Sequence, residues 1–81
     1  MAVKIVTFTG NNGNGAISVA GLLSGDRVVA VIATSNLPVG QDETSSFCSF
    51  IFSDGEIQQV TAGDLSSYGF TALIERNVVL P

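Results

Sequence analysis

The stretch SFCSFIFSDGEIQQV, residues 46–60, decides how the rest of the chain is read. Residues 46–53 are rich in Phe and Ile, Asp54 and Gly55 suit the two positive-φ positions of a tight turn, and residues 56–60 run back, so the stretch reads as a β-hairpin. With Asp54 and Gly55 as the hairpin turn, Phe52 falls across from Ile57 on one face and Ile51 across from Gln58 on the other. The first arm then carries Cys48, Phe50 and Phe52 on one side and Phe47 and Ile51 on the other. Both sides are apolar. A domain this small has one core, so the second face is expected to be covered by something outside the chain.

Outward from the hairpin, the flanking segments also read as short strands. Residues 3–9 alternate, with Val3, Ile5 and Thr7 on one side and Lys4, Val6 and Phe8 on the other. GNNGNG, residues 10–15, breaks that strand with turn chemistry and reads as a hairpin loop. Residues 16–20 form a short second strand around Ile17 and Val19. Residues 27–34, RVVAVIAT, are a continuous apolar run of strand length that belongs in the middle of a sheet. Residues 35–45 hold Pro38, Gly40, Asp42 and Glu43 and read as an outward-facing surface loop. Asp64 is placed to cap a single helical turn begun at Leu65. Residues 70–76, FTALIER, close as a strand. A short helix over Leu65, Tyr68, Ala72 and Leu73 competes with that reading, but Gly69, Thr71 and Ile74 favour the strand.

These elements predict one all-β domain over residues 1–81, a small antiparallel β-sandwich or barrel of five to six strands with a short helical turn. Within it, residues 1–9 serve as an N-terminal strand or arm. Residues 77–81, NVVLP, form an apolar tail expected to dock on another strand or another chain.

The totals point the same way. A chain of 81 residues buries only about 60% of the surface that its unfolded form exposes. Disulfides, a metal or association usually reinforce so thin a core. A single Cys48 cannot form an intrachain disulfide, and the sequence has no His, the commonest metal ligand. Charged residues are 12% of the chain and hydrophobic residues 46%, with a mean hydropathy of +0.47. About 25% charged is usual for soluble domains, so association is the expected remedy. Phe47, Ile51, Val78, Val79 and Leu80 are the residues expected to make subunit contacts.

Chemistry is sparse. A net charge of −4 with three scattered cations gives no basic patch for nucleic acid. The N-terminal residues lack the pattern of a signal peptide, and no apolar run approaches the roughly 20 residues of a membrane helix, so synthesis in the cytoplasm without membrane association is expected. Without His, acid–base catalysis would fall to carboxylates or to Lys4. Asp42 and Glu43 read as loop solvation, Asp54 as turn chemistry and Asp64 as a cap, while Cys48 has no base partner. GNNGNG lacks the Lys-Ser/Thr of a phosphate loop. Gln58 and Gln59 point to opposite faces, at least one of them towards solvent or a partner. No enzyme, cofactor or metal is expected.

Leu23-Ser24-Gly25-Asp26-Arg27-Val28-Val29, the 54–59 return strand, Asp64-Leu65-Ser66 and Ala72-Leu73-Ile74-Glu75-Arg76 occur in an order that resembles small accessory virion proteins of tailed bacteriophages. The resemblance covers roughly residues 22–76 and contains no diagnostic motif. It implies a non-enzymatic capsid decoration (cement) protein on the virion surface. Such a protein is a homotrimer or other small homo-oligomer bound to the major capsid protein, and the N-terminal strand can serve as an arm added to a neighbour. Two other readings stay open: a tail, neck or fibre-base component, and a small monomeric binding module of inhibitor or immunity type.

Overall fold

The computed structural model describes residues 2–76. Strands β1 (Ala2–Thr9), β2 (Gly15–Ser18), β3 (Arg27–Ser35), β4 (Glu56–Gln59) and β5 (Gly69–Arg76) account for its regular structure, with a 3-10 turn at Thr44–Ser46. β1, β5 and β3 form one antiparallel sheet in that order, and β2 and β4 form a second. The all-β expectation holds as two sheets without barrel closure.

Each strand follows from local sequence. β1 and β5 alternate, so Val6, Phe70, Ala72 and Ile74 turn inward while Val3 and Ile5 stay out. The apolar run of β3 is buried at Val28, Val31 and Ala33, with irregularities between Val28 and Ala30 and between Ala33 and Ser35. These side chains meet Val19, Leu22, Phe47, Cys48, Ile51 and Ile57 in one hydrophobic core. Phe8, Phe47 and Phe70 form its aromatic end, with ring centroids 5.1–5.8 Å apart and two of the three pairs edge to face.

The N-terminal segment is a full member of its own sheet. β1 pairs with β5 from Ala2↔Arg76 to Thr9↔Gly69. Residues 2–9 thus lie along the full length of β5.

The 46–60 stretch departs from the expected hairpin. The turn is present, with Glu56 N–H donating to Ser53 O at 3.3 Å, but only Gly55 has a positive φ (76°). The register is not Phe52 with Ile57. Phe47 instead bridges Gln59, Cys48 N–H donates to Gln58 O, and Val60 N–H donates to Ser46 O. Beyond Cys48 the segment leaves β4 and pairs with the start of β3: Val28 N–H donates to Ser49 O and Ile51 N–H to Asp26 O, both at 2.8 Å. One short segment thus satisfies main-chain groups of both sheets and buries Ile51 at the corner between them.

Two turns also differ from expectation. Residues 65–68 make a single turn closed by Tyr68 N–H to Leu65 O, with Asp64 Oδ1 accepting from Ser66 N–H and Oγ–H. Asp64 caps as expected, but no helix follows. The 3-10 turn lies at Thr44–Ser46, where Asp42 Oδ1 accepts from Thr44 N–H and Oγ1–H, so Asp42 organises the loop rather than merely solvating it.

Candidate functional site: exposed apolar faces and an open strand edge

The residues expected to make subunit contacts divide sharply. Phe47 and Ile51 are 4% and 1% exposed and belong to the chain's own core. The contact role assigned to them is corrected accordingly, because a side chain already enclosed by its own domain has no surface to offer. The solvent side of the segment is taken by Phe50 and by Phe52, the latter 68% exposed. Val78, Val79 and Leu80 lie outside the described residues.

Among the described residues, apolar surface gathers in two places, with Leu23, Val39 and Phe50 also exposed. The outer face of the β1-β5-β3 sheet carries Val3 (63% exposed), Ile5 (68%) and Ile32, with Ala30 and Leu73 between them. The register sets rows across the sheet, Ile5–Leu73–Ala30 and Thr7–Thr71–Ile32. At one end an exposed Arg27–Glu75 pair at 3.7 Å closes the patch with charge. The second place is beside the other sheet, where Phe52 and Val60, both outside its strands, stand next to Asn14, Gly15 and Gln58. Residues 35–45 are partly outward as expected, with Val39 80% exposed, but Gln41 and Glu43 bond back to β3 and cover that edge.

GNNGNG does not make a hairpin. Among the described residues β1 and β2, although consecutive, belong to different sheets and do not pair. Gln59 explains the separation. It is 1% exposed, its Oε1 accepts Asn11 N–H at 2.8 Å, and its Nε2 donates towards the carbonyls of Gly13 and Gly63, both at 2.9 Å. An Asn12↔Asp64 bridge adds a further tie. The loop is thereby bound to the 59–64 segment, and β2 is carried over to β4. Between β1 and β2 lies an open cleft of about 590 Å³ lined by Lys4, Val6, Phe8, Ile17 and Val19 among others.

The principal buried electrostatic contact is structural. Asp26, 2% exposed, receives Arg76 Nε–H on Oδ1 and Arg76 Nη2–H on Oδ2, both at 2.8 Å, and Leu23 N–H on Oδ2 at 2.9 Å. Arg76 Nη2 also donates to Gly21 O. This fork holds the Asp26 carboxyl below the usual carboxylate range, with the Arg76 hydrogen bonds outweighing the opposing effect of burial. Among the described residues, no buried side-chain polar atom lacks a partner, and no three His, Cys, Asp or Glu side chains gather as a metal site would require.

Sequence reasoning missed Gln59 and the cleft. An amide in an alternating strand gives the same signal whether it faces water or a buried loop. Its partners here lie 46 and 48 residues away at Gly13 and Asn11. No protein-family model, curated protein or solved structure matches the chain.

Proposed function

We propose that this chain is a non-enzymatic structural subunit that works in an assembly, and that the assembly is a tailed-phage head which it decorates from outside. The observation that carries the assembly reading is the pair of separate apolar patches, Val3–Ile5–Leu73–Ile32 on the outer face of the three-stranded sheet and Phe52–Val60 beside the two-stranded one. A single patch is enough for self-association. A second allows the same subunit to grip a different neighbour, which is what a protein bridging capsid subunits must do. The polar inventory supports the non-enzymatic part: Asp26, Gln59, Asp42 and Asp64 are all engaged in holding the chain's own loops and termini. The choice of a capsid surface comes from the sequence resemblance.

Burial is the mechanism. At roughly 25 cal/mol per Å² of apolar surface, a standard interface of about 1,600 Å² outweighs the entropy of association and raises the barrier to separating the capsid subunits beneath it. Cosedimentation of the purified chain with expanded, empty tailed-phage heads tests the reading. Saturable binding, with heads that disrupt at a higher temperature when coated, is the expected result. A chain left in the supernatant at saturating concentration contradicts the capsid assignment.

A further inference from the structure

We propose that the outer edge of β1 is a self-pairing surface, on which the β1 strand of a second copy adds antiparallel about a two-fold axis at Val6 to make one sheet continuous through both chains. The proposal rests on the assembly reading above and names the surface and the partner.

Hydrogen-bond alternation identifies the available groups. On β3, Val31 and Ala33 aim their N–H groups away from β5, at Thr44 Oγ1 and Gln41 O. Ala30 and Ile32 therefore face β5 and meet Leu73 and Thr71. The alternate β5 residues Phe70, Ala72 and Ile74 then bond to Phe8, Val6 and Lys4 of β1. Gly10 N–H donating to Tyr68 O continues that phase. What remains are Val3, Ile5, Thr7 and Thr9, whose N–H and C=O groups point off the sheet with no partner among the described residues.

The edge is suited to its own copy. Val3 and Ile5 also carry side chains on the outer apolar face, so a two-fold perpendicular to the sheet joins two such faces without a break. A residue can oppose only one of the same parity, which leaves registers centred on Lys4, Ile5 or Val6. Centring on Lys4 opposes two ammonium groups, and centring on Ile5 leaves them on diagonal neighbours. Centring on Val6 sets each Lys4 across from Phe8 of the other copy and keeps the cations apart. It pairs Ile5 with Thr7 and Val3 with Thr9, giving about eight inter-chain N–H···O=C bonds. Natural edge strands are usually guarded by Pro, bulges or charges, Lys above all. β1 has no Pro, pairs with β5 without a bulge, and carries Lys4 as its one charge. The opposite edge of the same sheet, on β3, is covered by residues 41–44 and 49–51.

Amide hydrogen exchange of the full chain, followed by NMR across a range of chain concentrations, tests this beside light scattering. The amides of Val3, Ile5, Thr7 and Thr9 are expected to slow roughly tenfold when the chain is at about 100 times its dissociation constant, as the monomer fraction falls. Thr7→Pro removes an N–H that donates to nothing within the described chain. It is expected to keep the native circular dichroism while weakening association at least tenfold. Oligomers whose four edge amides exchange at a rate independent of concentration would overturn the edge pairing and leave the assembly reading standing. Protection of those amides in a chain that stays monomeric would show the edge covered within one molecule and overturn both.

Discussion

Phe47 and Phe52 lie five residues apart and answer different questions. Phe47 packs edge to face on Phe8 and Phe70, so cutting it to Ala removes core volume and is expected to cost about 3–5 kcal/mol of stability by urea denaturation. Phe52 stands in solvent, and Phe52→Asp is expected to leave the urea midpoint nearly unchanged while abolishing attachment through its patch. Loss of folding in Phe52→Asp would place that ring in the core and remove the second patch. Gln59→Leu leaves Asn11 N–H without its partner and takes the amide from the Gly13 and Gly63 carbonyls, which keep only the 3.2 Å bonds from Asn11 Nδ2 and Gly13 N–H. At about 1–3 kcal/mol for a buried group left unpaired, a loss of about 1–3 kcal/mol is expected, and an unchanged midpoint would show that water replaces the amide.

The Asp26–Arg76 fork has a definite pH signature. Because the folded-state pKa of Asp26 is lowered, the unfolded chain binds the proton more tightly. The pair's contribution is therefore complete above the ordinary carboxylate range, about pH 4 and higher, and is lost as pH falls through the depressed folded value. Asp42 and Asp64, each lowered by hydrogen bonds from Thr44 and Ser66 respectively, run in the same direction. The difference in urea midpoint between the native chain and Asp26→Asn is expected to be constant from pH 7 to 5 and to shrink below about pH 4. A difference that grows on acidification would contradict the assignment.

At the level of elements, what could be read from the letters was what local periodicity controls. Alternation in residues 3–9 and 70–76 and the apolar run at 27–34 gave β1, β5 and β3 nearly to the residue, since each strand's side chains must sort onto one buried and one outer face. The 46–53 segment was equally apolar but divides its main-chain bonds between β4 and β3, and no local pattern encodes a strand that changes partner midway. The same limit hid the fate of GNNGNG, because its Gly and Asn residues specify a turn without specifying which strands it joins. Gly10 shows how closely that loop is held. A Cβ there would lie 2.6 Å from Leu65 Cβ and 2.9 Å from its carbonyl carbon, with main chain that cannot step aside. Gly10→Ala is expected to cost about 1–3 kcal/mol in a thermal or urea melt. A neutral result would mean that the loop and the 64–65 segment move apart freely.

For the molecule as a whole, composition foretold the surface better than it foretold the site. Few charges and a high apolar fraction in so short a chain required some apolar surface to remain outside the core, and Val3, Ile5, Ile32, Phe52 and Val60 are part of that surface. Which residues they would be depended on the register of β1, β5 and β3 and on the corner at Ile51, both set by contacts distant in sequence. The mass of the purified chain by light scattering coupled to size exclusion, read over a range of loading concentrations, decides whether the chain self-associates. Self-association through the two-fold β1 edge predicts an even multiple of 8.3 kDa, with twice that mass as the smallest stable species. A trimer would keep the assembly and refute the two-fold edge, whereas a species of 8.3 kDa at every concentration would show that this chain does not complete its surface with other copies of itself.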